Sequence, residues 1–562
     1  MSDRSRPLTN PISVAHPVVE VGEDLVTRTP PTPPRGTASV NAVAARHARG
    51  ELTSAEAVAA VDPHELERAL TLTADTSGLD AVVHGLGVAP GIACGPLVFS
   101  TEAAVAARAD GLEPVLVLSE SRPDDLPGLL AATAVVTERG GRTTHSAVVA
   151  RALGRPSVAG LVDGVVIDDA ELLRGARGDV LVAGDVVTVD GSGGTVFRGR
   201  PAEPLAGGHG NTEILRWLDT ALADLPGLAV KVNADSAEAA ARGRELGATG
   251  VGLFRVEHVF LGDRRALLER VLIARPGPEM TEGLADVYSV LRSEFVDLLR
   301  VVDGQDVAIR LLDPPRHEFL PDPASAAADG VRAVLAKLRE HNPMLGVRGV
   351  RLGILVPALT VAQIQALVDA VLEVRRSGHD PRPELLVPMV STPAEVDVVR
   401  GLLDDVRAHA GTTAEELPIA IGAMVETPRA ALLAGRLAER VDALSLGTND
   451  LTALVWGLSR DDADRHLLPA YRDLGVVEHS PFERLDLEGV GAVIRQVVRD
   501  ARRVRPGIRI GVCGEQAAEA SAVEFLADAG VDYISCAAPR VPLARLAAAR
   551  HGLPPRNPEE GP

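Results

Sequence analysis

From Leu228 onward, eight short apolar runs recur at 228–233, 250–255, 306–312, 384–390, 418–425, 442–448, 508–513 and 531–536. Stretches with helical spacing of apolar positions separate them, among them Ser236 to Leu246, Val361 to Arg376, Pro393 to Ala408 and Glu488 to Arg503. Strand and helix alternating eight times predicts an α/β fold with a closed parallel (β/α)8 barrel of the TIM type over 227–553. The segment between the third and fourth runs, about 313–383, is long enough to bring a functional group of its own over the rim.

The first half is patterned differently. Residues 1–36 are rich in Pro, Thr and Ser, including Thr29-Pro-Pro-Thr-Pro-Pro34, and predict a disordered start. Two helical pieces, Ser39 to His47 and Ser54 to Leu72, with Thr53 and Asp62-Pro63 as start signals, predict a helical collar over 37–84. Over 85–200 the pattern shifts to short β runs punctuated by Gly: Gly95 to Phe99, Val115 to Leu118, Ala134 to Thr137, Val180 to Val182, Val186 to Val189 and Thr195 to Phe197. That punctuation predicts a small β-rich domain with one amphipathic helix, Ser146 to Leu153, stopped by Gly154. Pro201, Pro204, Gly207-Gly208 and Gly210 mark 201–226 as a hinge linker, and 554–562 is read as a tail.

Composition narrows the function. The chain has 562 residues and a formal net charge of −20, with 2 % aromatics and no long basic run, so nucleic acid is not an expected partner. Cys94, Cys513 and Cys536 are too few and scattered for a disulfide framework or a zinc cage, which fits a reducing compartment. No apolar stretch reads as a membrane span and the N-terminus lacks an export pattern, so a cytoplasmic protein is expected. Two of the 57 basic residues are lysines, Lys231 and Lys337, and neither follows a Gly-rich loop, so no Walker-type nucleotide site is expected.

Short polar signatures close most of the barrel runs: Arg-Val-Glu from Arg255, Arg-Leu-Leu-Asp from Arg310, Pro-Met-Val from Pro388, Val-Glu-Thr-Pro around Glu426, Gly-Thr-Asn-Asp from Gly447, Cys-Gly-Glu from Cys513, and Ser535-Cys536. Strand ends on one side of such a barrel house its chemistry. Glu426 and Asp450, on adjacent strands, suit a hard divalent cation that takes its other ligands from water and a substrate phosphate; Mg²⁺ is the natural choice. A pair of rim carboxylates neutralised by arginines is the other reading. Arg255, Arg310, Arg348 and Arg460 match bidentate capture of phosphate and carboxylate oxygens, with surface salt bridging as the alternative for Arg460. Asn449 can orient a carbonyl or phosphate oxygen. Cys513 at a strand mouth is placed to act as an acid or base, whereas Cys94 and Cys536 read as packing groups.

In the β-rich region, Thr137-Glu-Arg-Gly-Gly-Arg-Thr-Thr-His145 is a strand, a glycine pair, hydroxyls and one His opening a helix. Helix-start N–H groups favour an anion, so a phosphoryl group on His145 would be held there, with Arg142, Thr143 and Thr144 as added donors. A histidine that only hydrogen-bonds near a helix cap fits the same pattern.

Together these residues resemble the PEP-utilising enzyme family, and within it the dikinase branch. The resemblance covers about 39–553 and rests on Gly140-Gly-Arg-Thr-Thr-His-Ser-Ala-Val-Val-Ala-Arg151, Ile309-Arg-Leu-Leu-Asp-Pro-Pro-Arg-His-Glu-Phe-Leu-Pro321, Asn342-Pro-Met-Leu-Gly-Val-Arg-Gly349, Gly447-Thr-Asn-Asp-Leu-Thr452 and Val512-Cys-Gly-Glu515. It implies a swivelling phosphohistidine domain carrying His145 and a barrel that binds phosphoenolpyruvate (PEP) or pyruvate. Arg255 and Arg310 are then expected to hold the PEP phosphoryl group, and Glu426 and Asp450 to bind Mg²⁺. Gly447, Thr448 and Asn449 are expected to contact substrate, Cys513 to exchange the proton at C3 of enolpyruvate, and Arg348 and Arg460 to line the pocket. Phosphoryl transfer between PEP and the histidine with release of pyruvate follows, and family members commonly form homodimers through the barrel.

Departures accompany the likeness. About 84 residues precede the histidine domain where dikinases carry an ATP-grasp region, so the nucleotide half-reaction is expected from a separate ATP-grasp chain or another phosphoacceptor protein. The roughly 40 residues between Phe99 and Gly140 leave no room for the four-helix insert of the sugar-phosphotransferase branch. Glu515-Gln-Ala-Ala-Glu-Ala520 replaces a glycine-rich turn, and Ala453 stands where Gln is usual. That altered loop supports a rival reading, a catalytically impaired PEP or pyruvate sensor. A divergent phosphocarrier kinase is a further alternative.

Overall fold

The computed structural model describes residues 39–553 apart from 122–124, 142–143, 168–169, 203–205, 208–211, 316–318, 322–328 and 464–466. The Pro-rich start and the tail lie outside the described residues.

Three helices open the fold, Val40–Ala48, Ser54–Ala60 and Pro63–Leu70. The expected second helix is two, because Asp62 caps His64 N–H and Pro63 sits at the first helical position, which restarts the helix after Val61. Thr53 and Glu56 form a reciprocal capping box on the middle helix. Val43, Val58, Leu66 and Leu70 are buried in the same core as the barrel's outer helices.

Strand β1 (Leu72–Thr73) leads into a small domain of strands β2 (Asp80–His84), β3 (Leu86–Ala89), β4 (Ile92–Val98), β5 (Val115–Leu118), β6 (Ala134–Thr137), β7 (Ser157–Ala159), β8 (Gly164–Ile167), β9 (Leu172–Gly175), β10 (Val180–Val182), β11 (Val186–Asp190) and β12 (Thr195–Arg198). Eight of them make one sheet in the order β2-β12-β11-β4-β5-β6-β7-β3, and β10-β9-β8 form a second. The run β4-β5-β6-β7 is parallel. Parallel neighbours require crossover connections, so the region holds helices Thr101–Ala109 and Leu126–Ala131 besides His145–Leu153, not one helix alone.

Strand β13 (Ala206–Gly207) returns the chain and pairs antiparallel with β1, Leu72 opposite Gly207 and Thr73 opposite Ala206. The stretch 201–226 is therefore not linker throughout. Residues Thr212–Leu222 form an amphipathic helix whose Ile214, Trp217, Leu218 and Ala221 are buried in the main core.

Strands β14 (Ala229–Ala234), β15 (Gly250–Arg255), β16 (Asp306–Arg310), β17 (Arg382–Val387), β18 (Ala420–Val425), β19 (Ala443–Gly447), β20 (Arg509–Cys513) and β21 (Tyr533–Ala537) close into the barrel, β21 pairing back onto β14. The third strand stops at Arg310 as Pro314 and Pro315 approach, and β17 ends before Pro388, because proline supplies no N–H to a ladder. Leu253, Ala308, Leu386, Met424 and Cys513 form a buried cluster contributed by five strands. One helix among the described residues, Pro357–Arg376, is long and apolar enough to cross a bilayer, where the sequence pattern predicts no membrane-length stretch. Its Leu359, Ile364, Leu367, Val371 and Val374 are buried against the barrel and helix Pro278–Val301, so its apolar length is used in the core.

Candidate functional site

The barrel's C-terminal rim gathers charge out of water. Arg310, the last residue of β16, is buried and ion-paired to Glu257, two residues beyond β15, and lies 3.5 Å from Asp313. Arg348, carried in by the long segment after β16, clamps Asp313 with both ends of its guanidinium: Nε donates to Oδ1 at 2.8 Å and Nη2 to Oδ2 at 2.5 Å. Its remaining Nη1 reaches Asp450 Oδ1 at 3.3 Å. Burial alone would lower the pKa of either arginine, but the carboxylates around them outweigh it and hold both guanidiniums firmly charged.

Glu426, one residue past β18, is 1 % exposed and accepts the backbone N–H of Met389 at Oε1, 2.6 Å away. Burial first, then the neighbouring charges of Asp450 and Asp313, push its pKa up to about 8, against the opposing pull of Arg310 and Arg348. Met389 holds φ = 56°, a left-handed conformation that a long side chain adopts only when its surroundings enforce it. Gly349 (φ 57°) makes room: a Cβ there would lie 2.9 Å from Met389 Cβ and 3.1 Å from Asp313 Oδ1. Gly447 does the same for Glu426, whose Oε2 lies 2.6 Å from where its Cβ would stand.

Thr448, Asn449 and Asp450 form the first turn of helix Thr448–Trp456. Thr448 is fully buried and bonds inward, its hydroxyl donating to Gln516 Oε1 at 3.0 Å, while Asn449 and Asp450 are half-exposed. Cys513 ends β20 with 3 % exposure, and its thiol pKa is raised by burial, with Ser445 opposing and Glu426 assisting. The charges of Arg310 and Arg255 also act on that sulfur, so the cysteine belongs to the same rim. Arg255 ends β15 half-buried, and its charge is felt by Glu257 and Asp235.

The structure thus brings together Arg255, Arg310, Arg348, Glu426, Gly447, Asp450 and Cys513. It does not join Arg460 to them: that residue opens the short helix Arg460–Asp462, its Nε is buried without a hydrogen-bond partner among the described residues, and none of the described contacts links it to the rim. Ser535 and Cys536 lie within β21 and not at its mouth; Ser535 donates to Asn233 Oδ1 at 2.6 Å, and Cys536 packs in the core with burial raising its pKa to about 12.

Glu257 and Asp313 complete the cluster. Each follows a rim arginine within three residues in the signatures Arg-Val-Glu and Arg-Leu-Leu-Asp, and that spacing was the available signal. Among the described residues, Glu257 Oε2 and Arg310 Nε remain buried with no hydrogen-bond partner.

Among the described residues, no group of three or more His, Cys, Asp or Glu side chains forms a ready-made metal cage. The donor set nevertheless suits a divalent cation that keeps water and substrate ligands. Burial, and then the charge of Asp450, drive the Glu426 carboxyl towards protonation, and a cation shared by these two hard oxygen donors would relieve that repulsion.

In the small domain, His145 is the first residue of helix His145–Leu153, after Thr144, whose hydroxyl donates to Gly141 O at 2.9 Å. Arg142 and Thr143 lie outside the described residues. Gly154 ends the helix at φ 63° and abuts the barrel: its absent Cβ would sit 2.8 Å from Pro539 Cγ, in the turn Ala538–Arg540 that follows β21. The histidine helix therefore touches the same end of the barrel that carries the charged rim. Arg540 in that turn also pairs with Glu519 at 2.6 Å and with Glu67 of the collar at 3.2 Å.

Comparison with known proteins agrees with this arrangement. Residues 211–552 match the PEP-binding domain of PEP-utilising enzymes, and residues 112–194 match their mobile domain. Pyruvate, phosphate dikinase of Rhizobium meliloti is 39% identical over 518 residues, spanning 89% of this chain and 57% of that protein. Pyruvate, phosphate dikinase 2 of Zea mays is 40% identical over 488 residues, 84% of this chain and 54% of the maize protein. A chloroplastic dikinase of Arabidopsis thaliana is 39% identical over 523 residues, 89% and 53% of the two chains. The chain spans about half the length of these curated relatives. With a barrel and a histidine-bearing mobile domain both matched, and the first of these matches alone covering more than half of its residues, the chain belongs to the PEP-utilising enzyme family.

Proposed function

We propose that this protein transfers the phosphoryl group of PEP to His145 and releases pyruvate. The observation that carries this reading is the rim itself: buried arginines and an excess of carboxylates gathered around Cys513, with the histidine helix packed beside the same end of the barrel. Arg310 and Arg255 hold the phosphoryl oxygens, and Arg348, fixed by Asp313, adds its charge beside them. Asn449 and the backbone of Gly447 and Thr448 orient the rest of the molecule. Glu426 and Asp450 would hold Mg²⁺, which when bound offsets the negative charge of the phosphate and of the developing enolate.

As the bond from phosphorus to the enol oxygen breaks, a bond from phosphorus to the His145 imidazole forms. The electron pair left on oxygen becomes an enolate. The Cys513 thiol gives its proton to C3, which completes pyruvate and leaves a thiolate. Raising the thiol pKa by burial suits this role, because the sulfur stays protonated until the enolate appears.

The second acceptor is proposed to lie on a nucleotide-binding ATP-grasp chain or another phosphoacceptor protein, reached by movement of the small domain. Incubation with PEP labelled at phosphorus, with Mg²⁺, is expected to label His145 and to release one pyruvate per label; His145→Ala is expected to abolish both. Absence of label on the intact protein would overturn the reading. Pyruvate release with and without AMP plus pyrophosphate then reports whether this chain itself turns over through a nucleotide.

A further inference from the structure

Beyond the mouth of β20 the chain departs from a glycine-rich turn and reads Glu515-Gln-Ala-Ala-Glu-Ala520. A short 3₁₀ turn forms there, Glu515–Ala518, with Ala517 and Ala518 buried in the main core. Gln516 is buried with them at 2 % exposure. A primary amide so deep costs stability unless both its ends are bonded, and here both are. Its Nε2 donates to Pro481 O at 3.4 Å, and its Oε1 accepts the Thr448 hydroxyl at 3.0 Å. Pro481 O can only accept, so the amide nitrogen must face it and the amide oxygen must face Thr448.

That oxygen holds the start of helix Thr448–Trp456, whose first turn carries Asn449 and Asp450. The residue before the helix is Gly447, which has no side chain to cap the free N–H groups of that turn. The Thr448 hydroxyl supplies an anchor from inside: besides Gln516 Oε1 it lies 3.3 Å from Cys513 O, and a Cβ on Gly514 (φ 148°) would overlap it. The first turn is thereby held against the end of β20. The far end of the helix is fastened separately, by Trp456 Nε1 donating to Asp486 Oδ2 at 2.9 Å. Losing the Gln516 amide would therefore loosen one turn and leave the helix in place.

We infer that Gln516 is a positioning residue: by holding the Thr448 hydroxyl against the end of β20, it fixes the turn that presents Asp450 as a cation ligand alongside Glu426. Partners one bond behind a ligand decide how far it is preorganised, because any freedom left to Asp450 must be frozen when the cation arrives. Arg348 steers the Asp450 carboxylate from one side, and Gln516 sets the backbone from which that carboxylate projects. The inference rests on the reading of Glu426 and Asp450 as the Mg²⁺ ligands and deepens it. It also gives a task at the site to the loop whose departure from the family pattern favoured a sensor.

The test titrates Mn²⁺ into the whole protein with pyruvate present, followed by its EPR signal, beside thermal melting and PEP-dependent labelling of His145. Gln516→Met fills the same space without hydrogen bonds and is expected to weaken Mn²⁺ binding about tenfold. The Mg²⁺ needed for half-maximal labelling should rise by a similar factor, while labelling at saturating Mg²⁺ stays within about threefold of wild type. Thr448→Val should match Gln516→Met, and Thr448→Ser, which keeps the hydroxyl, should retain the wild-type affinity. A double variant carrying Gln516→Met and Thr448→Val should bind no more weakly than either alone, since both remove one bond. Trp456→Phe, which frees only the far end of the helix, should lower the melting temperature and leave Mn²⁺ affinity unchanged. Should Gln516→Met fail to fold, Thr448→Val carries the same measurement. Wild-type Mn²⁺ affinity in the folded variants, or additive losses in the double variant, would overturn the inference. Mn²⁺ binding that survives both Asp450→Asn and Glu426→Gln would instead overturn the reading of the metal ligands, and this inference with it.

Discussion

The two ends of one barrel carry similar charges to opposite effect. At the N-terminal floor, Arg509 bridges Asp306 at 3.0 Å and Glu384 at 2.5 Å, and Lys231 reaches Asp306 at 3.2 Å while lying 4.4 Å from the centre of the Tyr533 ring. Two cations answer two carboxylates. At the C-terminal rim, Arg310 and Arg348 face Glu257, Asp313, Glu426 and Asp450. Two cations there meet four carboxylates, and half-buried Arg255 does not close the gap. A floor that neutralises itself is a plug, whereas a rim left short of positive charge is prepared for something that brings it. That difference, and not the mere presence of buried charge, marks which end does chemistry.

Removing Arg348 should have the largest effect. Arg348→Ala strands Asp313 in a buried site, with an expected loss of about 3–5 kcal/mol of stability and of all PEP-dependent labelling, read by thermal melting and phosphorus label. Next, at the floor, Glu384→Ala is expected to cost about 3 kcal/mol by leaving Arg509 partly unpaired, yet the folded protein should label His145 within about threefold of wild type. A specific loss of labelling there would break the contrast between plug and site.

Glu426 offers a pH test of smaller size. Its pKa in the fold, about 8, lies above the usual 4.5, so the folded state favours the protonated form. In the metal-free protein that stabilisation is complete below the ordinary carboxylate range and is lost as pH rises through 8. Denaturation midpoints of metal-free wild type should therefore fall between about pH 4.5 and 8, Glu426→Gln should flatten the slope, and Mg²⁺ with phosphate should restore stability only in wild type. An unchanged slope in Glu426→Gln would show that the rim's charge is satisfied after all. The smallest effect is expected from Gly447→Ala, whose methyl meets Glu426 Oε2: roughly 1–3 kcal/mol, with a weaker apparent affinity for Mg²⁺ in the labelling reaction.

Much of this was legible in the chain because the barrel writes itself locally. Apolar runs ending in Arg310, Glu426, Gly447 and Cys513 disclose both the strands and the residues at their mouths. Glu257 and Asp313 stood inside the quoted signatures but gave no sign of being the arginines' anchors, since a carboxylate near an arginine in sequence is as often a surface pair. The floor was illegible for another reason. Lys231, Asp306, Glu384 and Arg509 come from β14, β16, β17 and β20, and only strand register makes them neighbours. The helix Thr212–Leu222 was masked by the prolines and glycines ahead of it, which advertise a flexible joint and end just before an amphipathic pattern begins.

The ladder between β1 and β13 has a consequence for how this molecule was assembled. Outgoing and returning chain run shoulder to shoulder at Leu72 and Gly207, so everything between them hangs from a single doubled stem. Collar and barrel meet in one core without help from the intervening cassette. A short loop joining Thr73 to Ala206 should leave a barrel that still folds, a receptacle from which the arm carrying His145 has been unplugged.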